Sequence, residues 1–159
     1  MIIDERTEFA DAASVAAAAG TALIGDVLDS SAIARDLGMG ENLYLVITCA
    51  TEIITGGAAG TIKFQLVSDA QAAIAVNGSA TVHLDTGTFV TDDSAANDTA
   101  MNAGEIIYCA PLPIQGKVYE RYLGILAIVD VTTVTAGAIN AFLTLDPPRG
   151  KKLYAEGAN

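Results

Sequence analysis

Ile62-Lys63-Phe64-Gln65-Leu66 alternates apolar and polar side chains without a break. Side chains on a strand point to opposite faces in turn, so Ile62, Phe64 and Leu66 face a core while Lys63 and Gln65 face water. Upstream lies a second β-rich run, Leu43-Tyr44-Leu45-Val46-Ile47-Thr48-Cys49, continued by Glu52-Ile53-Ile54. The glycine cluster Gly56-Gly57-Ala58-Ala59-Gly60 between the runs predicts a hairpin of 43–54 with 61–67. Downstream, Thr81-Val82-His83-Leu84-Asp85-Thr86 alternates again, and Glu105 to Ala110 precedes Pro111-Leu112-Pro113, whose prolines exclude a central strand. Tyr119 to Val129 is the longest β run; it turns between Asp130 and Val134 and is answered by Thr135 to Leu145, which Pro147-Pro148 stops. Short strands at this spacing, with no alternating helices, predict an all-β single domain, a sandwich or barrel of seven or eight strands.

Composition sharpens this. The 159 residues are one domain's worth. Apolar residues make up 52%, but much of that is Ala and β-branched types, only 6% are aromatic, and there is no Trp. Small side chains bury little area each, so a stable fold needs many regularly packed strands or burial against other subunits. An oligomer is therefore expected. The net charge of -11 argues against direct binding to nucleic acid, because that affinity comes largely from Lys and Arg neutralising phosphates. It argues equally against anionic membrane surfaces. Met1-Ile2-Ile3-Asp4-Glu5 places acids where a signal peptide has bases, and no apolar stretch is long enough to span a bilayer, so a soluble chain made in the cytoplasm is expected.

The two ends read differently from the middle. Ala12 to Ala22 holds seven alanines, a composition that favours helix, yet no stripe of large apolar residues supports one. The following Thr21 to Asp29 looks extended, so residues 1–34 are read as an extended N-terminal arm of the domain 1–148. Up to Pro148 the chain has 18 acids and 5 bases, a net -13, whereas Arg149-Gly150-Lys151-Lys152 opens a basic tail, 149–159. Cys49 and Cys109 both lie in apolar runs and read as buried thiols.

Catalytic chemistry fails at the inventory. His83 is the only histidine, on the outward face of its strand, where a surface or contact role is expected. The nucleophile-elbow and phosphate-cradling glycine motifs are absent. One His and two separated Cys cannot close a zinc site. Asp92, Asp93, Asn97 and Asp98 lack the spacing of a calcium loop and read as a solvated acidic segment. Glycoside hydrolysis would need aromatic platforms that a chain without Trp lacks. No catalytic residue, metal or cofactor is expected, and the chain is read as not an enzyme. More informative are Arg35-Asp36 and Glu120-Arg121, opposite charges beside apolar β residues in a chain with four arginines. Arginine pairs carboxylates in a planar fork, a geometry that suits subunit interfaces.

Several segments in order carry a resemblance. They are Asp4, Phe9-Ala10-Asp11-Ala12, Arg35-Asp36-Leu37-Gly38-Met39-Gly40-Glu41-Asn42-Leu43 and Thr61 to Asp69, followed by Leu112-Pro113, Glu120-Arg121-Tyr122-Leu123 and Thr135 to Ala141. Together they resemble the jelly-roll capsid cement (decoration) proteins of tailed bacteriophages. That resemblance implies a jelly-roll-like β-sandwich that trimerises on the outer surface of an icosahedral head. There it would clamp neighbouring major capsid proteins after expansion, with the major capsid protein and its own copies as partners. The polar stretch 86–104 and the basic tail depart from the family pattern. The candidate interface residues are then Phe9 and Asp11 in the arm, Arg35, Asp36, Glu120, Arg121 and Tyr122 around the charge pairs, and Arg149, Lys151 and Lys152 in the tail. The competing readings are another virion part, such as a head fibre base or tail protein, and a carbohydrate-binding jelly roll.

Overall fold

The computed structural model describes residues 7–33, 42–55, 60–91 and 101–148. Its elements, in chain order, are β1 (Glu8–Ser14), β2 (Gly20–Asp29), the one-turn helix α1 (Ser30–Ile33), β3 (Tyr44–Thr55), β4 (Thr61–Asp69), β5 (Thr81–Asp85), β6 (Phe89–Val90), β7 (Ile106–Pro111), β8 (Tyr122–Asp130) and β9 (Val134–Thr144). One sheet has the order β1-β9-β3-β7 and the other β2-β8-β4-β5, with β6 pairing an end of β4. All pairings are antiparallel.

The pairs are nested. β1 pairs β9, β2 pairs β8, β3 pairs β7 and β4 pairs β5, as in one long hairpin. Rolling that hairpin brings β3 against β9 and β4 against β8, which splits the ribbon into two facing sheets. This is the jelly-roll order of a β-sandwich. The stretch Ile62 to Leu66 lies in β4 as its alternation requires. Ile62, Phe64 and Leu66 are fully buried between the sheets, while Lys63 and Gln65 reach outward to the Asp85 carboxylate at 3.0 and 2.7 Å.

Two expected hairpins are not hairpins. β3 and β4 lie in different sheets, so the chain passes from one layer to the other between Thr55 and Gly60. β8 and β9 also part company. Leu123 to Ala127 are buried without alternation, the pattern of a central strand that needs a partner on either side, and β8 finds these in β2 and β4. β9 finds its own in β1 and β3. The three-residue link between them starts with a tight turn in which the Thr132 N–H donates to the Asp130 carbonyl at 2.9 Å. Val131, at the centre of that turn, has a φ of 70°. This is a strained conformation for a β-branched residue, and it turns the chain across the sandwich instead of back along the same sheet.

The N-terminal segment is extended, but its described part is no detached arm. β1 and β2 are the outer strands of the two sheets, with Phe9, Val15, Ile24 and Leu28 in the inter-sheet core. The alanines that argued for a helix instead allow close pairing of small residues, with Ala10 opposite Ala141 and Ser14 opposite Ala138. Gly25 sits where β2 bulges away from β8, at a φ of 67°. A Cβ there would overlap the Phe9 carbonyl, so only glycine lets the strands approach. Phe9 is therefore a core residue and not an interface residue. Of the two cysteines, Cys49 is buried and Cys109 exposed. They are free, with Val46 rather than Cys49 opposite Cys109.

A second, smaller core lies on the outside of the β2-β8-β4-β5 sheet. The connection 70–80 folds back so that Ile74 and Ala80 cover Val67 and Leu126, with Leu23 and Val27 at the margin. Gly124 makes the room, because a Cβ there would stand 2.6 Å from Ile74 Cδ1 and 2.9 Å from Leu23 Cδ1. Asp69 pins the connection by accepting the Gln71 and Ala75 N–H groups, both at 3.1 Å. Those backbone donors, Ala75 first, hold its carboxyl below the usual carboxylate range.

Because Phe9 is fully buried, Phe9→Ala is expected to destabilise the isolated chain by about 3–5 kcal/mol. Urea unfolding followed by circular dichroism measures this; a change near zero would return Phe9 to a free arm.

Candidate interface at one end of the sandwich

The start of β8 gathers the side chains that matter at one end of the molecule. Tyr122 opens β8 opposite both Asp29 at the end of β2 and Asp69 at the end of β4. This register places Arg121 beside Asp29. The guanidinium donates from Nε to Oδ1 at 3.0 Å and from Nη2 to Oδ2 at 2.7 Å, a two-pronged pair. Its carbon lies 4.9 Å from the Tyr122 ring centroid, in cation–π range. Asp29 also accepts from the Ser31 N–H at 3.0 Å and the Ser31 hydroxyl at 2.7 Å, and so caps α1. The Arg121 fork, then the Ser31 hydroxyl, holds the Asp29 carboxyl well below the usual carboxylate range. Asp29 reciprocally raises the Arg121 guanidinium.

Glu120 does not pair with Arg121, as adjacency in the sequence implied. Neighbouring residues on an extended chain point to opposite sides. Glu120 instead accepts from the Thr81 hydroxyl at 2.8 Å, and its N–H donates to the Ser68 hydroxyl at 3.0 Å. Ser68 is fully buried, and its oxygen lies 2.7 Å from His83 Nε2. The His83 ring stacks on Tyr119, with centroids 3.9 Å apart and planes 18° apart. Tyr119 in turn donates its hydroxyl to the Pro113 carbonyl at 3.1 Å. The expected surface histidine is thus half-buried and belongs to the fastening of the β7–β8 loop. Burial lowers its pKa from 6.5, Glu120 works against that shift, and Lys117 adds to it. Burial also pushes the Tyr119 phenol up to about 12, so that it stays a donor.

Of the ten candidate residues, Glu120, Arg121 and Tyr122 are brought together with Asp29, Ser68, His83 and Tyr119. Phe9 is in the core, and Asp11 is exposed on β1. Arg35, Asp36, Arg149, Lys151 and Lys152 lie outside the described residues. Asp29 went unrecognised, although Asp29-Ser30-Ser31 has the composition of a helix cap. Nothing in the local sequence pointed to Ser68, which only the register of β4 with β5 and β8 brings to this end. The arrangement fastens the β7–β8 loop, and the Ser68 hydroxyl beside His83 is fully buried.

The fold and this end of it define a single-domain jelly-roll β-sandwich with a fastened, charged loop. A family model described as Bbp16 matches residues 9–143, and the chain belongs to the Bbp16 family. That family points to a bacteriophage protein, consistent with a virion component. No curated protein matches the chain.

Since His83 binds a proton less readily when folded, stability it contributes is complete above its unfolded value of 6.5 and is lost as pH falls through the lower folded value. Between about pH 7 and pH 5 the thermal midpoint should fall, and His83→Phe, which keeps the stack without the titration, should flatten that slope. An unchanged slope in differential scanning calorimetry would remove His83 as its source. Arg121→Ala should leave the sandwich folded but speed hydrogen exchange at Ser30, whose N–H donates to the Arg121 carbonyl at 2.9 Å, and at Ser31. Unaltered exchange there would show that Arg121 does not hold α1 in place.

Proposed function

We propose that the chain is a virion structural protein that binds the outside of an icosahedral phage head as a homotrimer and stabilises the expanded shell by clamping major capsid proteins. It acts by binding, with no catalytic step, cofactor, nucleic acid or membrane.

The observation that carries this reading is the extent of the family match. It begins in β1 and ends in β9, so the whole jelly roll is the family's unit. A protein of phage origin whose described residues are nearly all sandwich has its surface as its means of action. Two of its four edge strands suit long service outside a particle: β5 has five residues, and β7 has six and ends in Pro111, leaving short rows of unpaired backbone there for a stray strand. Many equivalent copies on a shell multiply modest individual contacts. A sugar-binding role finds less support, because among the described residues no Phe or Tyr is exposed to stack on a ring.

Purified chain mixed with heads that lack it should co-sediment with expanded heads and not with unexpanded shells, and should scatter light as a trimer. Failure to bind expanded heads would overturn the reading. Binding by a species of another size would retain the shell role and correct the trimer.

A further inference from the structure

The β7–β8 loop is held tightly and yet shows its most apolar side chains to solvent. One stem is fixed by the buried Leu112, whose N–H donates to the Leu43 carbonyl at 2.7 Å. The other is fixed by the Tyr119 stack on His83, the Glu120 bonds to Ser68 and Thr81, and the Arg121 fork on Asp29. The Tyr119 hydroxyl on the Pro113 carbonyl braces one stem against the other. Between these fastenings, around a turn at Gly116 with a φ of 109°, Ile114 is 72% exposed and Val118 is 85% exposed. Val118 is the most exposed of the large apolar side chains described. Fixed stems limit the conformational freedom left to lose on docking, which favours binding through the tip.

Charge narrows the kind of partner. The run Pro113 to Tyr119 contains one charged residue, Lys117, in a chain of net charge -11. Among the described cations, Lys63 is paired with Asp85 and Arg121 with Asp29, whereas Lys117 is in no ion pair. It stands between the two exposed aliphatic side chains. A symmetric contact of this tip with its own copy would bring Lys117 against Lys117. The tip therefore fits a different surface, apolar at its centre and acidic at its rim.

We propose that the loop tip formed by Ile114, Lys117 and Val118 is the point at which the chain docks into an apolar cleft flanked by carboxylates on the major capsid protein. This inference rests on the proposed shell-binding role and names the face that performs it.

The test is titration of purified full-length variants onto expanded heads lacking the protein. The double variant Ile114→Ser with Val118→Ser should bind more weakly by roughly tenfold per side chain. Lys117→Gln should bind more weakly and lose part of the salt dependence. Val131→Ser is the control, because Val131 is 72% exposed at the opposite end and should bind as the parent does. All four positions are exposed, so the variants are expected to fold. Parent-like binding by the tip variants would overturn the inference while leaving the shell role standing. Intact head binding with altered self-association would assign the tip to a second copy and equally overturn it. If the parent chain itself fails to bind heads, the shell role falls and takes this inference with it.

Discussion

The ladder between β4 and β8 runs through nine residue pairs, from Thr61 opposite Asp130 to Asp69 opposite Tyr122, without a register shift. The other long ladders are each interrupted at least once. A slip of one residue here would turn every side chain on the strand to the wrong face. Such a slip would expose Phe64 and Leu66 and would drive Lys63 into the core. The ladder also has work on both sides. Its inner face supplies Ile62, Phe64, Leu123 and Ile125 to the main core, and its outer face carries Val67 and Leu126 under the covering connection.

The charged end of the sandwich inherits its geometry from that ladder. Ser68 and Tyr122 come to one place because their strands are in register, and Asp29 is added by the pairing of β2 with β8. From this follow the two-pronged pair on Arg121, the relay from Glu120 through Ser68 to His83, and the stack on Tyr119. These contacts lie partly in solvent, where an ion pair alone adds little to stability. Their value lies in position: they decide where the β7–β8 loop stands and how rigidly.

Alternation exposed the strands but not their partners. The inward and outward residues of β4 could be assigned from Ile62 to Leu66 alone, and the edge position of β7 followed from Pro111 and Pro113. Strand pairing is a long-range property, however, and a glycine-rich or short connection serves a hairpin and a sheet crossing equally well. This is why the links 56–60 and 131–133 were misread as hairpins. The Ala-rich start misled for a related reason: small residues that cannot define a helical stripe are the ones that let β1 lie close on β9. At the site, Arg121 and Tyr122 were visible because charge beside apolar β residues is unusual. Asp29 and Ser68, by contrast, belong to it only through tertiary register.

Nesting has a consequence for how the chain is made. The Ala12 N–H is satisfied by the Asn140 side chain, 128 positions later. Ribosomes add about 5–20 residues per second, so β1 waits roughly 6–26 s during synthesis before that partner exists. The first strand produced is among the last to be secured. Until then Phe9 has no finished core to enter, and the nascent chain carries an unpaired apolar strand through most of translation.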